Sequence, residues 1–427
     1  MVIHVVRPGE TLTSVAQEYG VPLFLLLNLN QPPDPNRLAV GQTLVVRFPA
    51  QVHTVQQGQS LLSIARQYGL TLRQLWRNNP ILGGGERLDP GQTLVISYRD
   101  EPDRGALVNA YAYPFIDSAL LQSTLPFLSY LTPFTYGFTP AGQLVDLRDA
   151  GLLRAAAQAG VTPLLHLSTL TEQGNFSNEL AGQALNDPAV QRTLIDDLAA
   201  VVEAKGYQGV DVDFEYLLPQ DALSYAAFIR RLTQVFVPLP VVTALAPKIS
   251  AAQPGLLYEG HDYGALGTAA DYVLLMTYEW GYTYGPPMAV APLPNVRQVV
   301  EYALTEIPAK KIWLGIPAYG YDWTLPFVQG ASRAVSISCQ YAVELALEHG
   351  AQIQFDAYAQ SPWFNYRDGE GREHQVWFED ARSIQAKLSL LADYGLRGTG
   401  YWNLMRPFPQ NWQVLDAMYR IEDAGGL

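Results

Sequence analysis

The sequence predicts an α/β protein. A (β/α)8 TIM barrel carries a small hairpin-containing insertion between its strands 7 and 8, and two small β-α-α-β modules precede it. Three observations predict this. From residue 106 onward, short apolar runs alternate with helical patterns. Residues 4–46 and 53–96 repeat a single pattern. The later alternation is broken once, near residues 350–380, by two aromatic-rich runs around a turn.

The expected barrel strands are 107–112, 130–136, 162–167, 209–215, 241–246, 272–278, 311–317 and 398–402. Helical stretches lie between most of them, at 147–159, 188–205, 220–235, 295–307 and 335–349 among others. An open doubly wound sheet would favour a glycine-rich phosphate loop after its first strand, and YPFIDS stands there instead. In the break, RDGEGR is a turn signal between two runs rich in aromatics, which predicts a β-hairpin at the end of the barrel where such folds place their sites.

The front repeat is shifted by 49 residues early and 50 late. His4, Gly9, Leu12, Ala16, Tyr19 and Gly20 recur as His53, Gly58, Leu61, Ala65, Tyr68 and Gly69, and GQTL recurs at 41–44 and 91–94. In each unit a short strand turns at a glycine, and Thr11 or Ser60 is placed to cap a helix. A second helix runs toward Asn28 and Asn30, or Asn78 and Asn79, and GQTLVV or GQTLVI closes with a strand. The expected boundaries are 1–48 and 51–98 for the modules, 99–105 for a charged linker and 106–427 for the barrel.

Composition bounds the partners. A net charge of −13 disfavours nucleic acid and anionic membranes. No apolar run reaches the roughly 18 residues of a membrane span. The start, MVIHVVRPGE, lacks the basic and apolar stretches of a secretory signal, so synthesis in the cytosol is expected. One cysteine, Cys339, allows no internal disulfide. Six scattered histidines argue against a zinc site, and no metal or cofactor is expected.

The segment GVDVDFEY, residues 209–216, points to chemistry. Side chains on a strand alternate faces, so Asp211, Asp213 and Glu215 share one and Val212 and Phe214 the other. The apolar pair suits the helix side of a barrel wall, and the acids then point inward, with Glu215 nearest the mouth. Packing them so is costly unless they are hydrogen-bonded or partly protonated. Like charges raise one another's pKa, which suits Glu215 as a general acid, with Asp213 sharing its proton and Asp211 supporting from below. A retaining glycosidase normally sets a second carboxylate about 5 Å away across the bond. Residues two apart on one strand cannot flank a substrate. If the protein is a glycosidase, its nucleophile comes from the substrate, and the amide oxygen of a 2-acetamido sugar is one.

Two resemblances join these readings. The front units resemble the LysM family, small modules that bind N-acetylglucosamine-containing glycans such as peptidoglycan and chitin. The resemblance implies sugar contacts from Gly9, Thr11, Leu12 and Asn28 in the first unit, and from Gly58, Ser60, Leu61 and Asn78 in the second. Two modules on one chain raise avidity for a repeating polymer. The segment around Asp211, Asp213 and Glu215 is similar to the D-x-x-D-x-D-x-E signature of glycoside hydrolase family 18, with Gln208 in place of the first acid. This likeness implies substrate-assisted, retaining catalysis. It also implies that Tyr278 bonds the acetamido group, that Met276, Glu279, Tyr319 and Tyr321 line the site, and that Trp402 floors it; Glu279 stands where the family has Asp.

Two LysM-like units before such a barrel resemble the spore-associated N-acetylglucosaminidases of endospore-forming bacteria. The resemblance implies a β-N-acetylglucosaminidase acting on spore-cortex peptidoglycan during germination, associated with spore coat or cortex. The alternatives are a chitinase acting on chitin oligomers and an inactive glycan-binding lectin.

Overall fold

The computed structural model describes residues 1–100, 102–171 and 174–424. Glu101 of the expected linker and residues 425–427 of the expected barrel lie outside them. The barrel strands are β1 (Gly105–Ala112), β2 (Tyr130–Pro133), β3 (Leu165–Ser168), β4 (Val210–Asp213), β5 (Val241–Leu245), β6 (Tyr272–Leu275), β7 (Ile312–Pro317) and β8 (Gly398–Trp402). All neighbours pair in parallel, in the order β3-β4-β5-β6-β7-β8-β1-β2. The ring closes where β2 pairs with Thr162–Pro163, just ahead of β3, and where Tyr136 bridges Leu167.

Period-2 alternation sorts the side chains into two cores. Tyr130, Phe134, Leu164, Val242, Tyr272, Leu274 and Trp313 fill the interior. Val210, Val212, Val241, Val273, Leu275, Leu314 and Tyr401 face the surrounding helices. The helices begin and end where local chemistry dictates. Helix Pro188–Lys205 has Asp187 accepting from the amides of Ala189 and Val190, proline at its first position, and Gly206 at φ 75° past its end.

The insertion is larger than the expected 350–380. Tyr319–Thr324, immediately after β7, pairs with Val335–Ser338 and Glu373–Trp377, and a five-stranded antiparallel sheet results. The hairpin forms as expected, with Arg367 opposite Glu373 and the Asp368 carboxylate accepting from the amides of Glu370 and Arg372, each at 2.9 Å. Residues 335–338, expected to open a helix, are the edge strand of this sheet. The helix starts at Cys339, capped by the Ser338 hydroxyl.

Each front unit has the strand–helix–helix–strand order, with capping boxes at Thr11 and Ser60. The repeated residues form one scaffold twice. His4 and His53 bond the hydroxyls of Tyr19 and Tyr68 at 3.2 and 3.0 Å. Asn30 and Asn79 are the matching buried pins. Each donates to a helix carbonyl and to the closing strand, and each accepts an amide from that strand.

Both units are docked on the barrel. Asp416, on the last helix (Pro409–Met418), accepts from Arg47 at 2.9 Å and from Arg77 at 3.0 Å; Arg47 also pairs with Asp100 at 3.0 Å. Arg47 is 2% exposed. Truncating one partner of a buried pair leaves the others uncompensated. Arg47→Met is therefore expected to destabilise the full chain by about 3 kcal/mol, read as a lowered urea midpoint.

Candidate active site

Strand β4 ends at Asp213, so Glu215 lies just past it, at the C-terminal mouth of the barrel. Asp211 and Asp213 point inward. The Tyr111 hydroxyl of β1 donates to Asp211 Oδ2 at 2.7 Å. Asp211 Oδ1 and Asp213 Oδ1 have no hydrogen-bond partner among the described residues. Beside Asp213 in register is Ser168, and beside Asp211 is His166. His166 Nε2 comes within 3.9 Å of Asp213 Oδ2, and Nδ1 lies 2.6 Å from the Thr135 hydroxyl. Full burial, under Phe134 and against Tyr111, pushes the His166 pKa down to about 3. His166 is thus neutral, and its approach to Asp213 is no ion pair.

Among the described residues the acid row consequently lacks a compensating cation. Burial raises Asp211 to about 7, and the bond from Tyr111 opposes only part of the rise. Asp213 is raised by burial and then by the charges of Glu215 and Asp211. Burial, followed by the charge of Glu279, raises Glu215 to about 7. Protein surrounds most of the Glu215 carboxyl, while its edge meets the cleft.

That cleft encloses about 670 Å³, and Asp213, Glu215, Met276, Tyr278, Glu279 and Trp402 line it together. Met276 and Tyr278 continue the inward parity of β6. Gly315 on β7 makes room for Tyr278, because a Cβ there would meet the tyrosine ring at 2.9 Å and the Leu275 carbonyl oxygen at 2.3 Å. Glu279 has φ 68°, a conformation uncommon for a residue with a side chain. Its Oε1 accepts from the Tyr319 hydroxyl, and both its oxygens lie 3.1 Å from the Tyr321 hydroxyl. Tyr319 and Tyr321, expected to line the site, belong to the first strand of the insertion. They line an adjoining compartment and reach the main cleft only through Glu279. Trp402 ends β8 and meets Tyr111, Tyr113 and Phe134 edge-on at 5.6, 6.3 and 4.9 Å.

Sequence reasoning missed Tyr111, His166 and Thr135 beneath the acids, and Phe176, Tyr216, Tyr258 and Tyr282 around the cleft. The inner residues carried a signal, since Asn109, Tyr111, Thr132, His166 and Ser168 are polar at the inward parity of three otherwise apolar strands. The rim aromatics carried none, because they come from separate loops.

The expected sugar contacts of the front units divide. Gly9, Thr11, Gly58 and Ser60 are exposed. Leu12 and Leu61 are buried in the unit cores, so their side chains cannot reach a ligand. Each is the first residue of a helix and turns its side chain inward under the cap. Asn28 is half-buried. The Asn78 amide is spent on the Ile96 carbonyl at 2.6 Å, and with the early shift Asn28 corresponds to Arg77, not to Asn78.

Residues 130–406 match the family model of glycosyl hydrolases family 18, and residues 4–47 and 53–97 match that of the LysM domain. The chain belongs to glycosyl hydrolase family 18. It is 42% identical to a cortical fragment-lytic enzyme of Bacillus subtilis (strain 168), over 99% of both chains. The crystal structure of the Bacillus cereus spore cortex-lytic enzyme SleL superposes with TM-score 0.84 at 36% identity, covering 100% of this chain and 99% of that one. A chitinase from Chromobacterium violaceum matches the structure with TM-score 0.68 at 27% identity, over 73% of this chain and 98% of its own. The chain is a glycoside hydrolase with two LysM domains.

The raised carboxyl of this family 18 site makes a stability prediction. Folded Glu215 keeps its proton to about pH 7, whereas an unfolded one loses it near the ordinary glutamate value. Its contribution to stability is therefore complete in acid and is lost as pH rises through 7. Glu215→Gln is expected to match the wild type near pH 4 and to exceed it by about 2 kcal/mol above pH 7, in denaturant titrations across that range.

Proposed function

We propose that the protein is a retaining, substrate-assisted β-N-acetylglucosaminidase that hydrolyses peptidoglycan, acting on spore-cortex fragments during germination. One observation carries the mechanism. The acid at the cleft mouth, Glu215, stands above a one-sided row of acids, and the only other carboxylate lining the rim among the described residues, Glu279, is engaged by two tyrosine hydroxyls. Among the described residues no carboxylate is set opposite Glu215 to attack the sugar, and the acetamido oxygen of the substrate fills that role.

Glu215, protonated near neutrality, gives its proton to the glycosidic oxygen as that bond breaks. The acetamido oxygen closes on the anomeric carbon and forms an oxazolinium ion. Asp213 accepts the acetamido N–H and balances the positive charge, with Asp211 and Tyr111 beneath it. Tyr278 donates to the acetamido oxygen and orients it. Trp402 supports the ring face. Glu215, now ionised, takes a proton from water as it attacks the anomeric carbon; the bond from that carbon to the acetamido oxygen breaks, the acetamide is regenerated and the β configuration is restored.

Several features support the substrate class. LysM domains accompany glycan binding, and relatives along nearly the full chain are named as cortex-lytic enzymes. The chitinase likeness favours a second reading, hydrolysis of chitin oligomers. Mass spectrometry of products from cortex fragments and from chitin oligomers separates the two. The first reading expects cortex products that end in N-acetylglucosamine, formed faster than chitin is cut; efficient cleavage of chitin alone would contradict it.

Glu215→Gln is expected to lose on the order of 10³-fold in kcat while still binding fragments. Glu279→Gln removes a charge that raises the Glu215 pKa. The alkaline limb of its kcat/KM profile is expected to move to lower pH, and an unmoved limb would dissociate that limb from Glu215.

A further inference from the structure

The cleft continues past Trp402 into a second compartment of about 280 Å³, which shares Tyr113, Glu279 and Trp402 with the first. Arg406, four residues beyond β8, lines it. Among the described residues it is the only lysine or arginine lining either compartment. Arg406 donates to the hydroxyl oxygen and the carbonyl oxygen of Ser336 at 2.8 and 3.0 Å. Those two bonds leave most of the five guanidinium donors free. No carboxylate lies within 4.0 Å of it among the described residues. A partly buried guanidinium without an acid is costly, and a carboxylate is its geometric complement. Glu279, the acid in the same compartment, already has its oxygens bound by Tyr319 and Tyr321.

We propose that Arg406 binds a carboxylate carried by the muramic acid next to the N-acetylglucosamine being cleaved, and so selects peptidoglycan over neutral glycans. This rests on the peptidoglycan reading above. In that polymer the two sugars alternate, so each N-acetylglucosamine has a muramic neighbour on either side. A muramic residue not closed into the δ-lactam carries a 3-O-lactyl arm that ends in a carboxylate, its own or that of an attached peptide. A chitin chain has no charge at this position. Among the described residues the main cleft, lined by Asp213, Glu215 and Glu279, has no lysine or arginine to hold such an arm, and the compartment behind Trp402 has one.

The test uses the full chain and short defined fragments in two forms, one with the arm's carboxylate free and one with it amidated. A pair ending in the lactyl acid and a pair with a one-residue stem show which carboxylate is read. The wild type is expected to have a KM about tenfold lower for the acid form, a preference weakened by salt. In Arg406→Met the acid-to-amide ratio is expected to fall to about one, and Arg406→Lys should restore part of it. A wild-type ratio near one, an unchanged ratio in Arg406→Met, or equal loss on both forms would overturn the proposal; equal loss would make the residue a tie to Ser336 only. A wild type that cleaves neither form would instead sink the peptidoglycan reading itself, and the two failures are thereby distinct.

Discussion

The structure depends on placing carboxyl groups in the interior of a closed barrel with no cation beside them among the described residues. Parallel strands buried on both faces are normally apolar throughout. Here β4 turns Asp211 and Asp213 inward, and among the described residues the only direct hydrogen bond to either acid is from Tyr111. The neutral His166 and the raised pKa values of all three acids follow from that desolvation. A cation in this position would hold Glu215 ionised and remove its value as an acid. The absence of one keeps a proton available at the mouth near neutral pH, at a cost in stability that rises with pH.

The surroundings serve the same constraint. Tyr278 reaches the acids only because Gly315 has no side chain in its path. Glu279 is aimed into the cleft by an unusual backbone conformation and held by two hydroxyls from the insertion sheet. The insertion thus contributes to the site through a residue of the barrel, and its remaining surface forms the wall behind Trp402. The LysM domains are tied to the far helix by Asp416, so barrel and glycan-binding units meet through buried ion pairs as well as through a short connection.

Much of this was legible in the sequence, and the residues show why. Asp-Val-Asp-Phe-Glu reports its own geometry, because alternation is local and five residues suffice to reveal it. The front repeat was equally plain, since the same caps and glycines occur twice. Tyr111 and His166 were not, because their polarity matters only once three strands are side by side. Tyr319–Thr324 follows β7 at once, and one of its two partners, Glu373–Trp377, lies about fifty residues later, beyond any local period. Leu12 and Leu61 directly follow the expected caps Thr11 and Ser60, and a residue at that first helical position turns its side chain into the unit core rather than toward a ligand.

The most direct test of the central claim is the anomeric form of the first product. Proton NMR during the earliest turnovers, before mutarotation, should show the newly freed N-acetylglucosamine end as the β anomer. An α anomer appearing first would require water to attack in a single displacement, and would contradict an acetamido nucleophile served by Glu215 alone.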